Sequence, residues 1–124
     1  MENQEILNLE TGTKEAIALK PKPVKIEKVD IQEVGEKGNK KLVCSVRHPD
    51  KEETIQISSV KFESKGKLQT TGLWVNLDDE DKIRKGSALA VLINFLNVKV
   101  PSELIGKEIA TSEDEKGYLT FKAY

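Results

Sequence analysis

Apolar and polar positions alternate along most of this chain, and only Ala88 to Val98 forms a nearly continuous apolar block. Strand side chains point to opposite faces in turn, so the alternation predicts strands. Lys41 to His48 is the cleanest case, with Leu42, Cys44 and Val46 on one face and Lys41, Val43, Ser45 and Arg47 on the other. Two further strands carry a slip in phase. In Val24 to Val34, Val24 and Ile26 share one parity and Val29 and Ile31 the other, with the break at Glu27-Lys28. In Thr54 to Glu63 the break falls at Ser58-Ser59, between Ile55/Ile57 and Val60/Phe62. A slip marks a bulge or sharp bend that re-aims the inner face. Val24, Ile26, Val29 and Ile31 are therefore all expected to be buried.

Leu68 to Leu77 continues extended, with Leu73, Val75 and Leu77 on one face and Trp74 and Asn76 on the other. The apolar block follows. Ser87 suits a helix N-cap after Gly86, and Ala88, Leu89, Val91, Leu92, Ile93, Phe95 and Leu96 leave the helix little polar face. Such a helix wants cover on more than one side, so it is expected to plug or cap a curved sheet. Pro101 to Gly106 reads as a single helical turn, Lys107 to Ser112 as a strand, and Tyr118 to Tyr124 as the last strand. There Leu119, Phe121 and Ala123 alternate with Tyr118, Thr120, Lys122 and Tyr124. The order is β-β-β-α-β-β, a mainly β domain over residues 22–124. Residues 1–21 lack a sustained pattern and run into Lys20-Pro21-Lys22-Pro23; they are expected to form an N-terminal arm, mobile or packed on the surface.

Composition narrows the class. With 124 residues the chain is one domain with room for a real core. A single cysteine excludes an internal disulfide and suits a reducing compartment. No run approaches the roughly 18–20 apolar residues of a membrane span, and the polar N-terminus has no signal-peptide core. A cytoplasmic protein is expected. The formal net charge of −1 hides an asymmetry: residues 21–67 hold eleven Lys/Arg against eight acids, between acidic flanks. That permits a local phosphate-binding groove.

Most candidate chemistry fails on spacing. Cys44 and His48 are the only residues of their kinds, but four strand positions separate them by roughly 13 Å. A buried thiol and a turn histidine are the plainer reading, and no Cys/His set remains for zinc. Asp78-Asp79-Glu80-Asp81 lacks the alternation and sixth-position glycine of a calcium loop. Arg84-Lys85-Gly86-Ser87 lacks the glycine spacing of a nucleotide loop and reads as a capped helix entry. No residue set joins a base, a nucleophile and an oxyanion stabiliser, so the expectation is a non-enzymatic protein without cofactor or metal. The aromatics carry more signal. Trp74 lies on the polar parity of its strand, and Tyr118 and Tyr124 lie opposite Leu119 and Phe121 with Lys122 between them. Aromatics interleaved with cations on a sheet face are how proteins stack bases and follow a phosphate chain. On this reading Trp74 stacks, Tyr118 and Tyr124 add stacking, Lys41, Arg47 and Lys61 engage phosphates, and Lys122 belongs to the same surface. The plainer reading has Trp74 covered by the helix or the N-terminal arm and the tyrosines as amphipathic surface residues.

The β-β-β-α-β-β order, the two phase slips and the interposed apolar helix resemble the OB-fold, a small Greek-key β-barrel plugged by one helix. The stretch from Ser87-Ala88-Leu89-Ala90 through Leu104-Ile105-Gly106-Lys107 to Gly117-Tyr118-Leu119 is similar to small phage and archaeal single-stranded DNA-binding proteins. The resemblance implies a binding surface on Lys41, Val43, Arg47 and Gln56 and on the loops Gly35–Lys40 and Glu113–Gly117. The second loop is acidic here, a departure from that pattern. Leu68–Leu77 exceeds the minimal barrel and is equally readable as a sixth strand of a β-sandwich. Two functions follow: a module for single-stranded DNA or RNA, or a protein-interaction or assembly module, homo-oligomeric or with another partner, that binds no nucleic acid. Salt dependence separates them, because phosphate binding releases counterions.

Overall fold

The computed structural model describes Leu7 and residues 19–124. The expected arm, residues 1–21, lies outside the described residues apart from Leu7 and residues 19–21. Eight strands follow: β1 Val24–Val34, β2 Asn39–Arg47, β3 Ile55–Ile57, β4 Ser59–Ser64, β5 Lys67–Gly72, β6 Glu108–Ile109, β7 Thr111–Glu113 and β8 Leu119–Lys122. The α-helix α1, Ala88–Phe95, and a 3-10 turn, Pro101–Leu104, stand between β5 and β6. The strands make two four-stranded sheets, ordered β3-β2-β1-β6 and β5-β4-β8-β7. All described pairings are antiparallel except β4 with β8. The fold is mainly β, strongly curled into a half-barrel, with one α-helix of any length among the described residues.

Each phase slip has a structural counterpart. The β1–β2 register passes from Ile26↔Val46 to Lys28↔Ser45, leaving Glu27 as the extra residue of a bulge. At the second slip the chain changes sheets: only Ser58 separates β3 from β4, and its carbonyl accepts from Leu73 N–H at 2.8 Å. A third change, which the pattern does not announce, falls at Ala110 between β6 and β7. These passages join both sheets around one core that includes Val24, Ile26, Leu42, Val46, Val60 and Phe121. The expectation for β1 needs one correction. Val24 and Ile26 are buried and Val29 packs against the core, but Ile31 is 52% exposed. The reason is geometric: β6 reaches β1 only at Val24 and Lys25, so beyond the bulge that flank of β1 is uncovered.

Helix α1 begins as expected, with Ser87 Oγ accepting from Ala90 N–H at 3.3 Å. It packs against β4 and buries Ala88, Leu89, Leu92 and Ile93. Its cover is less complete than its composition suggests, since Phe95 is 48% exposed. No described helix is long and apolar enough to cross a membrane.

The last residues before β1 are tied down. His48 is buried, and its Nδ1 accepts from Asp50 N–H at 3.0 Å. A backbone N–H can only donate, so the hydrogen of the neutral ring sits on Nε2, which donates to the Lys20 carbonyl at 2.7 Å. Thr111 Oγ1 accepts from Lys22 N–H at 2.9 Å and donates to Lys22 O at 2.7 Å. Lys22 Nζ meets Asp50 Oδ2 at 2.7 Å, which holds that carboxyl below its ordinary range. The histidine thus has a structural job.

Cys44 is fully buried, and desolvation pushes its thiol up to about 12. Thiolate is the reactive form, so the native protein should resist a thiol reagent at neutral pH and react stoichiometrically in denaturant. Rapid reaction of the folded protein would show that the inner face of β2 is open to solvent.

Candidate nucleic-acid interface

The second sheet has an inner face of Val60, Phe62 and Phe121 and an outer face that is mostly polar. Register partners point to the same side of a sheet. Ser59 pairs with Gly72, Lys61 with Thr70 and, across the parallel pair, with Lys122. Ser112 pairs with Thr120 in the neighbouring strand. The outer face therefore carries Ser59, Lys61, Glu63, Leu68, Thr70, Ser112, Thr120 and Lys122. At its centre Ser59 Oγ donates to Thr120 Oγ1 at 2.9 Å, which satisfies the fully buried threonine.

Trp74 joins this face by way of Gly72. Past β5 the chain crosses to β2, with Leu42 N–H donating to Leu73 O at 2.8 Å and Val75 N–H to Lys40 O at 2.9 Å. Lys41 and Trp74 then stand opposite one another, and the Lys41 ammonium lies 5.0 Å from the indole centroid. Both side chains fold over Gly72, where a Cβ would come within 2.8 Å of Trp74 Nε1 and 2.9 Å of Lys41 Cε. Only glycine lets the pair lie this close to the sheet. A recess of about 260 Å³ beside the indole is lined by Asn39, Lys40, Val75 and Asn76.

The same arrangement recurs at the C-terminus, where Lys122 Nζ lies 4.8 Å from the Tyr124 ring centroid. A cation over an aromatic face is held by the ring quadrupole while its remaining donors stay free. Tyr118 is 68% exposed and borders a groove of about 760 Å³ shared with Lys61, Gln69, Thr70 and the turn after β7. Lys61 Nζ also donates to Glu113 O at 3.3 Å. The fold thus brings five expected residues, Lys41, Lys61, Trp74, Tyr118 and Lys122, onto or against the second sheet, with Tyr124 beside Lys122.

Arg47 is placed elsewhere. It ends β2 in the first sheet, donates from Nε to Glu27 Oε1 at 2.8 Å, and hydrogen-bonds the Glu52 carbonyl. The Arg47–Glu27 hydrogen bond holds the Glu27 carboxyl below its ordinary value, and the guanidinium is already countered. Val43, part of the surface implied by the resemblance, is 6% exposed and out of reach of a ligand, whereas Gln56 is exposed on β3. The carboxylates of Asp78–Asp81 belong to a self-contained turn: Asp78 Oδ1 accepts from Glu80 and Lys82 N–H at 2.9 and 3.0 Å. Arg84 donates to Leu77 O at 2.9 Å across the base of that turn.

Comparison with protein-family models, curated proteins and solved structures finds no match to this chain.

Proposed function

We propose that this chain is a non-enzymatic module for single-stranded nucleic acid, with DNA the expected ligand. The observation that carries the reading is the pairing of lysine with aromatic at two places, Lys41 on Trp74 and Lys122 on Tyr124, with Lys61 in register beside Lys122. Each pair offers a flat ring for a base and an ammonium for the adjoining phosphate. In the proposed architecture the half-barrel is OB-like. The parallel β4–β8 pair and the antiparallel β1–β6 pair support a Greek-key return of the last strands to the first. The buried, unpaired Cys44 supports a reducing, cytoplasmic setting.

The alternative, a protein-assembly module, draws on one observation. An apolar groove of about 460 Å³ lined by Leu19, Ile55, Ile57 and Leu119 runs beside β3, which pairs on one side only within its sheet. Salt separates the two readings. For single strands log K falls with log salt by about 0.7 for each phosphate contact. The double substitution Lys61→Ala/Lys122→Ala should therefore lower the slope by about 1.4, measured by anisotropy with a labelled oligonucleotide. An unchanged slope would remove both lysines from the phosphate track.

A further inference from the structure

The acidic turn Glu113–Gly117 repels phosphate, yet it forms one wall of the groove of about 760 Å³. The opposite wall brings Lys61, and the turn itself brings Asp114, Glu115, Lys116 and Tyr118. The groove therefore presents an aromatic ring, ammonium groups and carboxylates together. The turn is held firmly. Asp114 Oδ1 accepts from Lys116 and Tyr118 N–H at 2.9 Å each, and Asp114 N–H donates to Tyr118 O at 2.9 Å. One oxygen of Asp114 is committed to the backbone, and Oδ2 has no hydrogen bond among the described residues.

These groups suit a base better than a phosphate. Guanine alone among the four DNA bases offers two adjacent donors, N1–H and N2–H, to a carboxylate, and two acceptors, O6 and N7, to an ammonium. Thymine offers the carboxylate a single donor, N3–H, and leaves its second oxygen unmet. We infer that the groove beside Tyr118 is a guanine-selective subsite. Tyr118 stacks the base, a carboxylate of Asp114 or Glu115 accepts from N1–H and N2–H, and Lys116 donates to O6 and N7, while Lys61 stays with Lys122 on the phosphate. The phosphate chain stays on the Lys122 side, away from the acids. This subsite rests on the nucleic-acid reading above, and it accounts for an acidic loop at the edge of a basic face.

The test uses the full chain at fixed low salt with three labelled oligonucleotides of equal length: all thymidine, alternating thymidine and guanosine, and alternating thymidine and inosine, which lacks the N2 amino group. The guanosine strand should bind about tenfold more tightly than the thymidine strand, and inosine should lose most of that gain. Asp114→Asn/Glu115→Gln keeps an Oδ1 acceptor for the turn while removing both carboxylates. It should bind thymidine at least as well as before and show no guanine preference. Equal wild-type affinities, or a preference that survives inosine or the double substitution, overturns the subsite and leaves the broader reading standing. Failure of every strand to bind overturns both. The inosine comparison needs no variant, so it decides the matter even if the double substitution does not fold.

Discussion

Leu92→Ala is expected to lower stability by about 2–5 kcal/mol, the range of large-to-small changes in a packed core. Leu92 is fully buried in α1, which packs against β4, the strand that carries Lys61 on its other face. Removing its side chain leaves a cavity that the sheet cannot follow without moving β4. The cost combines lost burial with unfilled space, and the curled sheet has little freedom to collapse. Urea denaturation of both proteins, with the midpoint compared at an unchanged slope, gives the difference. Phe95→Ala on the same helix is the internal comparison. Phe95 is half exposed, so its loss should cost less than that of Leu92. A change under about 0.5 kcal/mol for Leu92→Ala, the range of ordinary surface positions, would mean that the helix face is misassigned.

The elements were legible wherever burial obeys a simple period. Ser87 and Gly86 announce the start of α1, and Leu42, Cys44 and Val46 announce the inner face of β2. The phase slips at Glu27 and Ser58 were readable because a strand cannot change its buried parity without a bulge or a bend. What parity cannot convey is where a neighbouring strand stops. Ile31 has the pattern of a core residue and is exposed because β6 does not extend alongside it. Cross-strand register is equally silent in one dimension. Lys61 and Lys122 are 61 residues apart and become neighbours only through the parallel pair. Arg47 shows the reverse case: it belongs to the basic stretch by sequence, but the bulge at Glu27 sets a carboxylate against it. The Trp74 platform was half legible, from its parity alone, while the need for Gly72 beneath it emerges only from the crossing of β5 onto β2.

Trp74→Ala should weaken binding of a thymidine oligonucleotide about tenfold or more, since stacking a base on an aromatic contributes roughly 1–3 kcal/mol. Two effects combine at this position. The ring itself is lost, and the Lys41 ammonium, 5.0 Å from the ring centroid, loses the surface that orients it. Trp74→Phe separates them, because a smaller ring keeps a stacking surface and should recover part of the affinity. Anisotropy is the suitable readout, since the alanine variant has no tryptophan to observe. Its urea midpoint should be measured alongside, because Trp74 is half-buried and its removal uncovers Gly72. Undiminished affinity in a folded Trp74→Ala protein would move the binding face elsewhere.

If single-stranded nucleic acid lies across the face that holds Trp74, the wild-type protein reports on it directly. Trp74 is the sole tryptophan of the chain, so its fluorescence arises from the proposed platform alone. Titration with oligo-dT at low salt should quench that emission to saturation, and added salt should reverse the quenching as counterions displace the strand. No binding at low salt, with anisotropy of a labelled strand agreeing, would contradict the account and leave the protein-assembly module as the reading of this fold.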